Sequence, residues 1–381
     1  MNGQWVGTFK QAYPAGISGP GGGNLILDLD ETKQGYSGVA HVDYVGDFST
    51  ILPPMDIVVE IDGKEGRRSI RSTEIAVVDR KTGLLQPWES VAEQYPNVTV
   101  PKSITGEAWL TDAGLNLQWE SDIGTKGTSQ LPISKAGSVS ELPAKNLSWN
   151  EFKELVNQFE GNGRLFRGQK EPWRLRSSYH REGRADILKY FTEVVPEAHR
   201  ILTARTKHFF SIRDNQDQLW AFLNLIQHHG FPTPLLDWTY SPYVAAFFAF
   251  RGISKKEASK TDNKARVFVF DHERWSRDYP QISLFVTRFP HVSLVKPLAL
   301  ENDRFVPQQA ALINTNVDDI ESYLSKLAIR RAPYLSAIDI PWTERHKVMR
   351  DLHFMGISAG SLFPGLDGAC EELKERSFLF L

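Results

Sequence analysis

The chain has 381 residues, 41% of them apolar and 24% charged, ordinary globular values that exclude a disordered or fibrous chain. Lys and Arg total 44 against 46 Asp and Glu, so no chain-wide basic field exists to draw in nucleic acid. The one cysteine, Cys370, excludes an internal disulfide and a four-cysteine zinc site.

No apolar run approaches the roughly 18 residues of a membrane span. The start Met1-Asn2-Gly3-Gln4-Trp5 lacks the charged and apolar regions of a signal peptide, so a cytoplasmic protein without membrane contact is expected. Composition divides the chain in two. Residues 1–140 hold 18 of 28 glycines and carry 17 acidic against 11 basic residues, while the remainder carries 33 basic against 29 acidic. An acidic, turn-rich domain over residues 1–135 and a mildly basic second domain follow from this split.

The first part reads as strands. Leu25, Leu27 and Leu29 alternate with Ile26, Asp28 and Asp30, and Leu115, Leu117 and Trp119 alternate with Asn116, Gln118 and Glu120. Further strand-like runs are Tyr36–Tyr44, Asp56–Asp62, Ser69–Val78 and Ser103–Thr111, separated by Gly and Asp turn signals. Trp88–Gln94 has room for one or two helical turns. Such a series closes into an antiparallel β-barrel or sandwich. Gly3-Gln4-Trp5-Val6-Gly7-Thr8-Phe9 resembles the Gly-x-Trp start of lipocalin-type barrels, which implies a sensor, docking or scaffold module and a regulatory ligand or protein as partner. Gly19-Pro20-Gly21-Gly22-Gly23 has no Lys-Ser/Thr and no helix after it, so it is a loop between strands and not a phosphate loop.

Residues 136–147 are small and polar, a linker. Ser148 with Glu151 forms a capping box, and Phe152, Leu155, Val156 and Phe159 make one helical stripe opening a second domain over 148–381. Gly163–Gln169 reads as a short buried strand carrying Arg167, whose guanidinium needs acceptors there. Gly168 beside it would let a phosphate or ribose approach the backbone. A helix beginning at Asp217 presents Leu219, Phe222, Leu223 and Ile226 on one face and ends at Gln227-His228-His229-Gly230, with Gly230 as its cap. Pro232–Pro242 forms a loop and strand in which Asp237, between Leu236 and Trp238, is expected to be buried and paired with Arg167. Ser241 caps the next helix, with Pro242 at its first position. Lys255–Lys264 reads as a mobile loop before a strand at Ala265–Phe270, Arg330-Arg331 as a solvated helix end, and Met349, Leu352 and Met355 as core.

Phe166-Arg167-Gly168-Gln169, with Trp173 and Leu175 ahead of Ser177-Ser178, resembles the opening block of the FRG domain, a family named for its Phe-Arg-Gly motif. Gln227-His228-His229-Gly230, Pro232-Thr233, Leu235 through Thr239, and Ser241-Pro242 with Ala245-Ala246 resemble its central signature. Arg304 through Gln309 resembles its third block. Ile338 through Pro341, Lys347, Leu352 through Ile357 and Pro364 through Asp367 resemble its closing segment. The likeness covers roughly 149–375. Pro234 stands where the family carries Arg, and Ala310 and Leu312 stand where it carries Gly and an aromatic residue.

The order of these blocks is similar to that of mono-ADP-ribosyltransferases. The similarity implies an α+β split-sheet domain that uses NAD as its substrate without a metal, and a protein or nucleic-acid acceptor, or water. It implies Arg167, Ser241, Gln308 and Gln309 as catalytic residues, and Gly168, Gln169, His228, His229, Asp237, Trp238, Thr239 and Tyr240 as nucleotide-binding ones. Gln308 and Gln309 stand where such enzymes place a Glu, and Glu301 or Asp303 could supply the charge. The implied setting is bacterial conflict, as a toxin or in defence against phage. A non-catalytic ligand- or nucleic-acid-binding module on the same fold is the alternative, followed by a nuclease or glycan hydrolase; for the last, Asp237 and Asp367 are the only placed carboxylates.

Overall fold

The computed structural model describes the chain apart from residues 16–18, 45–51, 81–82, 97, 160, 162, 283–288, 329–331 and 380–381. Arg330 and Arg331 lie outside the described residues. The fold divides into two units: Met1–Lys135 with Tyr179–Ile201 and Leu284–Pro290, and Ala136–Ser178 with Leu202–Ser283 and His291–Leu381.

The first unit is built on strands β1 (Gly3–Ala12), β2 (Gly22–Glu31), β3 (Gly35–Asp43), β4 (Met55–Asp62), β5 (Arg68–Val78), β6 (Leu85–Gln86), β7 (Ile104–Thr111), β8 (Gly114–Ser121) and β9 (Lys126–Leu131). Each pairs antiparallel with the next, except that β6 and β7 both pair with β5, β6 beside its end at Val77–Val78 and β7 beside its start at Arg68–Arg71. Pairing of β1 with β9 closes an eight-stranded barrel. The period-2 pattern explains the pleat: Leu25, Leu27 and Leu29 of β2 and Ile57, Val59 and Ile61 of β4 are buried inside. Gly22 and Gly23, expected in a loop, start β2. A Cβ on Gly23 would stand 2.9 Å from the Phe9 ring of the facing strand. The Trp88–Gln94 stretch forms the helix Trp88–Val91 and a 3-10 turn, Ala92–Gln94. In the same unit Asp30, on the outer face of β2, accepts from the Ala185 backbone N–H at 2.8 Å and pairs with Arg184 at 3.2 Å.

The second unit holds a seven-stranded mixed sheet of β10 (Ala144–Asn146), β11 (Arg164–Gln169), β12 (Leu235–Thr239), β13 (Lys264–Asp271), β14 (Val292–Val295), β15 (Ala310–Thr315) and β16 (Leu335–Pro341). The spatial order is β10-β16-β13-β11-β12-β15-β14, with only β10–β16 parallel. Residues 144–146, expected in the linker, thus form an edge strand, because Ala144 through Asn146 pair along Ala337 through Asp339.

Both faces of this sheet are covered, so β13 reads as a continuous apolar run interrupted by Arg266. Ala265, Val267 and Val269 pack with Trp149 and Phe152 of the Trp149–Val156 helix, Phe247 and Phe250 of the Pro242–Phe250 helix, and Met349 and Leu352 of the Arg345–Phe354 helix. Phe268 and Phe270 pack on the other face with Leu165, Trp238, Trp275 and Tyr334. Arg266 is tolerated because the facing Asp339 of β16 accepts two hydrogen bonds from it, at 2.7 and 2.8 Å.

Local signals hold at the helix ends. Ser148 and Glu151 make their capping box, and Ser241 caps Val244 with Pro242 following. The helix Gln216–His228 is capped by Asn215 and closes on Gly230 at φ 88°, where Phe231 N–H donates to the Ile226 carbonyl and Gly230 N–H to that of Gln227. Two expectations change. Lys255–Ala258 is a helix with a Ser254–Glu257 capping box, and Lys170 pairs with Glu257 at 2.8 Å. Met355 is 47% exposed, since it caps the helix where the chain leaves the core that holds Met349 and Leu352.

Candidate functional site

The site forms where β11, β12 and the loop entering β15 meet. β11 pairs with β13 along its whole length but with β12 only at Phe166↔Thr239. Next to that single pair, the Arg167 guanidinium donates to the main-chain oxygen of Asp237 at 2.5 Å. The expected pairing of a buried Asp237 carboxylate with Arg167 is therefore replaced by a different arrangement. Leu236 and Trp238 face the core, so strand parity turns Asp237 to the opposite face, where it is exposed. Its Oδ1 accepts from Gln227 Nε2 at 2.6 Å, and Gln227 Oε1 in turn accepts from the Thr233 hydroxyl. Gln227 occupies the last turn of a helix whose αL closure aims that turn at β12.

His228, half-buried beside Gln227, is held below the ordinary imidazole range, by burial first and then by the Arg304 and His229 charges. Asp237 opposes that shift. At neutral pH it is an uncharged imidazole next to a carboxylate. His229 is exposed. Arg304 lies over the Phe363 ring at 5.4 Å.

The other side of the site is the end of β12. Thr239 Oγ1 donates to the Gln308 carbonyl at 2.7 Å and accepts from Ser241 N–H at 3.0 Å, and Tyr240 N–H donates to the Gln309 carbonyl at 3.0 Å. Gln308 is buried and its amide donates to the Leu362 carbonyl at 3.0 Å. Gln309 is exposed at φ 46°, a left-handed conformation that a non-glycine residue adopts at a cost. Glu301, in the same β14–β15 connection, also has positive φ (52°), and its carboxylate accepts from His208 N–H. Asp303 is exposed.

The remaining sequence candidates have defined surroundings. Trp238 is 4% exposed and packs on Phe270 at 5.8 Å, inside the core. Tyr240 is half-buried, edge-on to His272 at 5.9 Å. A Cβ on Gly168 would collide with the Ala245 carbonyl oxygen and come within 2.8 Å of the Ala249 nitrogen, so this glycine lets the Pro242–Phe250 helix lie on β11. Gln169 donates to the Trp173 carbonyl at 2.7 Å. Ser241 is buried, its hydroxyl engaged as the helix cap at 3.3 Å from Val244 N.

Two hydrogen-bonded chains thus meet β12: one joins Thr233, Gln227 and Arg167 at Asp237, and the other joins Thr239, Tyr240 and Ser241 to Gln308 and Gln309, with His228 next to Gln227 in the chain. Gln227 and Arg304, which stand within the motif blocks, gain their roles only from the fold. Among the described residues no group of three or more His, Cys, Asp or Glu side chains is placed to hold a metal, and no helix is long and apolar enough to cross a membrane.

No curated protein and no solved structure matches the chain. Residues 162–258, which include Arg167, Gln227, His228, Asp237 and Tyr240 but end before Gln308, match the FRG domain family, and the chain therefore carries an FRG domain.

Proposed function

We propose that the second unit, which holds most of the residues that match the FRG domain, binds NAD and cleaves its nicotinamide–ribose bond, passing ADP-ribose to a macromolecular acceptor or to water. In that reaction the bond electrons leave with nicotinamide, C1′ of the ribose becomes cationic and bonds to the acceptor oxygen or nitrogen, and the acceptor proton goes to a base. Arg167 supplies a fixed positive charge for the diphosphate. Tyr240 offers a ring face for the nicotinamide. Asp237, oriented by Gln227, supplies the negative charge against the developing cation that the glutamine pair lacks. His228, uncharged at neutral pH because of its burial, is the proton acceptor.

The observation that carries this reading is that residues 142 apart in sequence, Arg167 and Gln309, both bond the main chain of the short segment Asp237–Tyr240. NAD titrated into the full chain should bind saturably, and Arg167→Ala should weaken that binding at least ~10-fold, the loss of one charged phosphate contact. Equal affinity in the variant would sink the assignment. A second reading, a nucleotide-binding module without catalysis, is favoured by one feature. Gln308, one of the two glutamines standing where transferases place Glu, is buried and tied to Leu362. It predicts NAD binding without nicotinamide release.

A further inference from the structure

The barrel of the first unit is not filled. A cavity of about 740 Å³ opens inside it, within the range of roughly 300–1,000 Å³ that holds one small molecule. Every described residue lining it belongs to the barrel and its loops. The far end is closed by packed side chains: Leu29, Ile61, Ala108, Leu115 and Leu131 are fully buried there, and Trp5 Nε1 is bonded to the Met1 carbonyl at 2.7 Å. A void this large forfeits the dispersion contacts that a filled core makes. The sequence nonetheless places Ala40, Ser72 and Thr125 on its walls.

The chemistry of the lining narrows the occupant. The described lining residues include no Asp, Glu, Lys, Arg or His. A charged ligand would lose its hydration without gaining a partner. The walls are aliphatic, from Leu25, Leu27, Ile57, Ile70 and Leu117, with a three-ring cluster on one side. Phe9 sits edge-on to Tyr44 at 5.8 Å and tilted to Trp119 at 5.9 Å. Gly127 on β9 makes room for that indole, since a Cβ there would stand 2.7 Å from Trp119 Nε1. Among the polar groups of the lining, Gln11, Tyr13 and Tyr44 stand together. Gln11 Nε2 donates to the Tyr13 hydroxyl at 2.5 Å and to the Pro20 carbonyl at 3.2 Å. Burial pushes the Tyr13 and Tyr44 phenols above their ordinary range, so both remain neutral.

We propose that the barrel binds one uncharged, largely apolar small molecule that carries a hydroxyl or carbonyl group. Its apolar body lies between the aliphatic wall and the Phe9–Tyr44–Trp119 cluster, and its polar group meets Gln11, Tyr13 and Tyr44. This inference is independent of the NAD reading and stands or falls without it.

The test uses the full chain and the neutral dye N-phenyl-1-naphthylamine, whose emission rises in apolar surroundings, with 1-dodecanol and dodecanoate as competitors at pH 8. One saturable site per chain is expected, with dodecanol displacing the dye at least ~10-fold more strongly than dodecanoate. Ala40→Trp, which fills the cavity, should weaken dye binding at least ~10-fold. Tyr44→Phe keeps the shape and should weaken dodecanol but leave the dye unchanged. Each variant is checked by its circular dichroism and melting temperature. No saturable site in the folded wild type, or full binding by a folded Ala40→Trp, overturns the site; equal displacement by dodecanoate overturns the uncharged class. Should Ala40→Trp fail to fold, the alcohol–carboxylate comparison and Tyr44→Phe still decide.

Discussion

His41 offers the sharpest physical test of the first unit. Its ring lies between two carboxylates that are each only 3% exposed, with Nδ1 2.6 Å from Asp56 and Nε2 3.2 Å from Asp28; Gln4 also donates to Asp28 at 2.9 Å. Burial alone would lower the imidazole pKa, but Asp56 and Asp28 outweigh it and raise it from 6.5 to about 10. The folded state therefore keeps a proton that the unfolded chain releases near pH 6.5. The stabilisation is complete below that pH and is lost as pH rises through about 10, at ~1.4 kcal/mol per pH unit in between. Removing the imidazole leaves two buried carboxylates without their cation, a loss of ~3–5 kcal/mol for a broken buried pair. Urea-dependent hydrogen exchange of peptides from β2, β3 and β4, corrected for intrinsic rates, reads this unit alone. Wild type should lose stability steadily between pH 6.5 and 10, whereas His41→Gln should start several kcal/mol lower and show no such slope. A flat wild-type profile, or the same slope in the variant, would refute the reasoning.

Three further predictions concern the second unit. Gly168→Ala forces β11 and the Pro242–Phe250 helix apart and should cost ~1–3 kcal/mol, read as a lowered unfolding midpoint. Trp238→Ala should cost ~3–5 kcal/mol because that ring is core, while Tyr240→Ala should leave the melting temperature nearly unchanged and weaken NAD binding by ~1–3 kcal/mol of stacking. Ser241→Ala removes a helix cap and should cost ~0.5–2 kcal/mol without changing NAD affinity, which calorimetry measures.

The barrel was legible because alternating leucines state both the strand and its buried face. Asp28 and Asp30 on the other face read as solvent-directed, yet both are buried, and Asp30 meets residues 184–186, more than 150 positions away. No local pattern carries such a contact. Within the second unit, capping residues announced the helices that carry the site, since a cap acts on its own turn. Asp237 misled for an instructive reason. Apolar neighbours on both sides suggest burial in a loop, but in a strand they place the residue between them on the opposite face. Parity sends Trp238 to the core, and Tyr240, past the end of β12, packs half-buried against the same cluster. Gly168 was visible as a residue needing close approach, but the sequence does not say which backbone approaches it. Gln227 joined the site through Asp237 and Thr233, partners set by the helix closure at Gly230 and not by spacing.

The central claim, that the convergence around β12 cleaves NAD, is tested most directly by following nicotinamide release from NAD by the full chain beside Asp237→Asn. The account predicts release by the wild type and a fall of about 10²-fold in the folded variant, the usual effect of removing one preorganised electrostatic group. Undiminished release by Asp237→Asn, or intact NAD in the presence of saturated wild type, would contradict it.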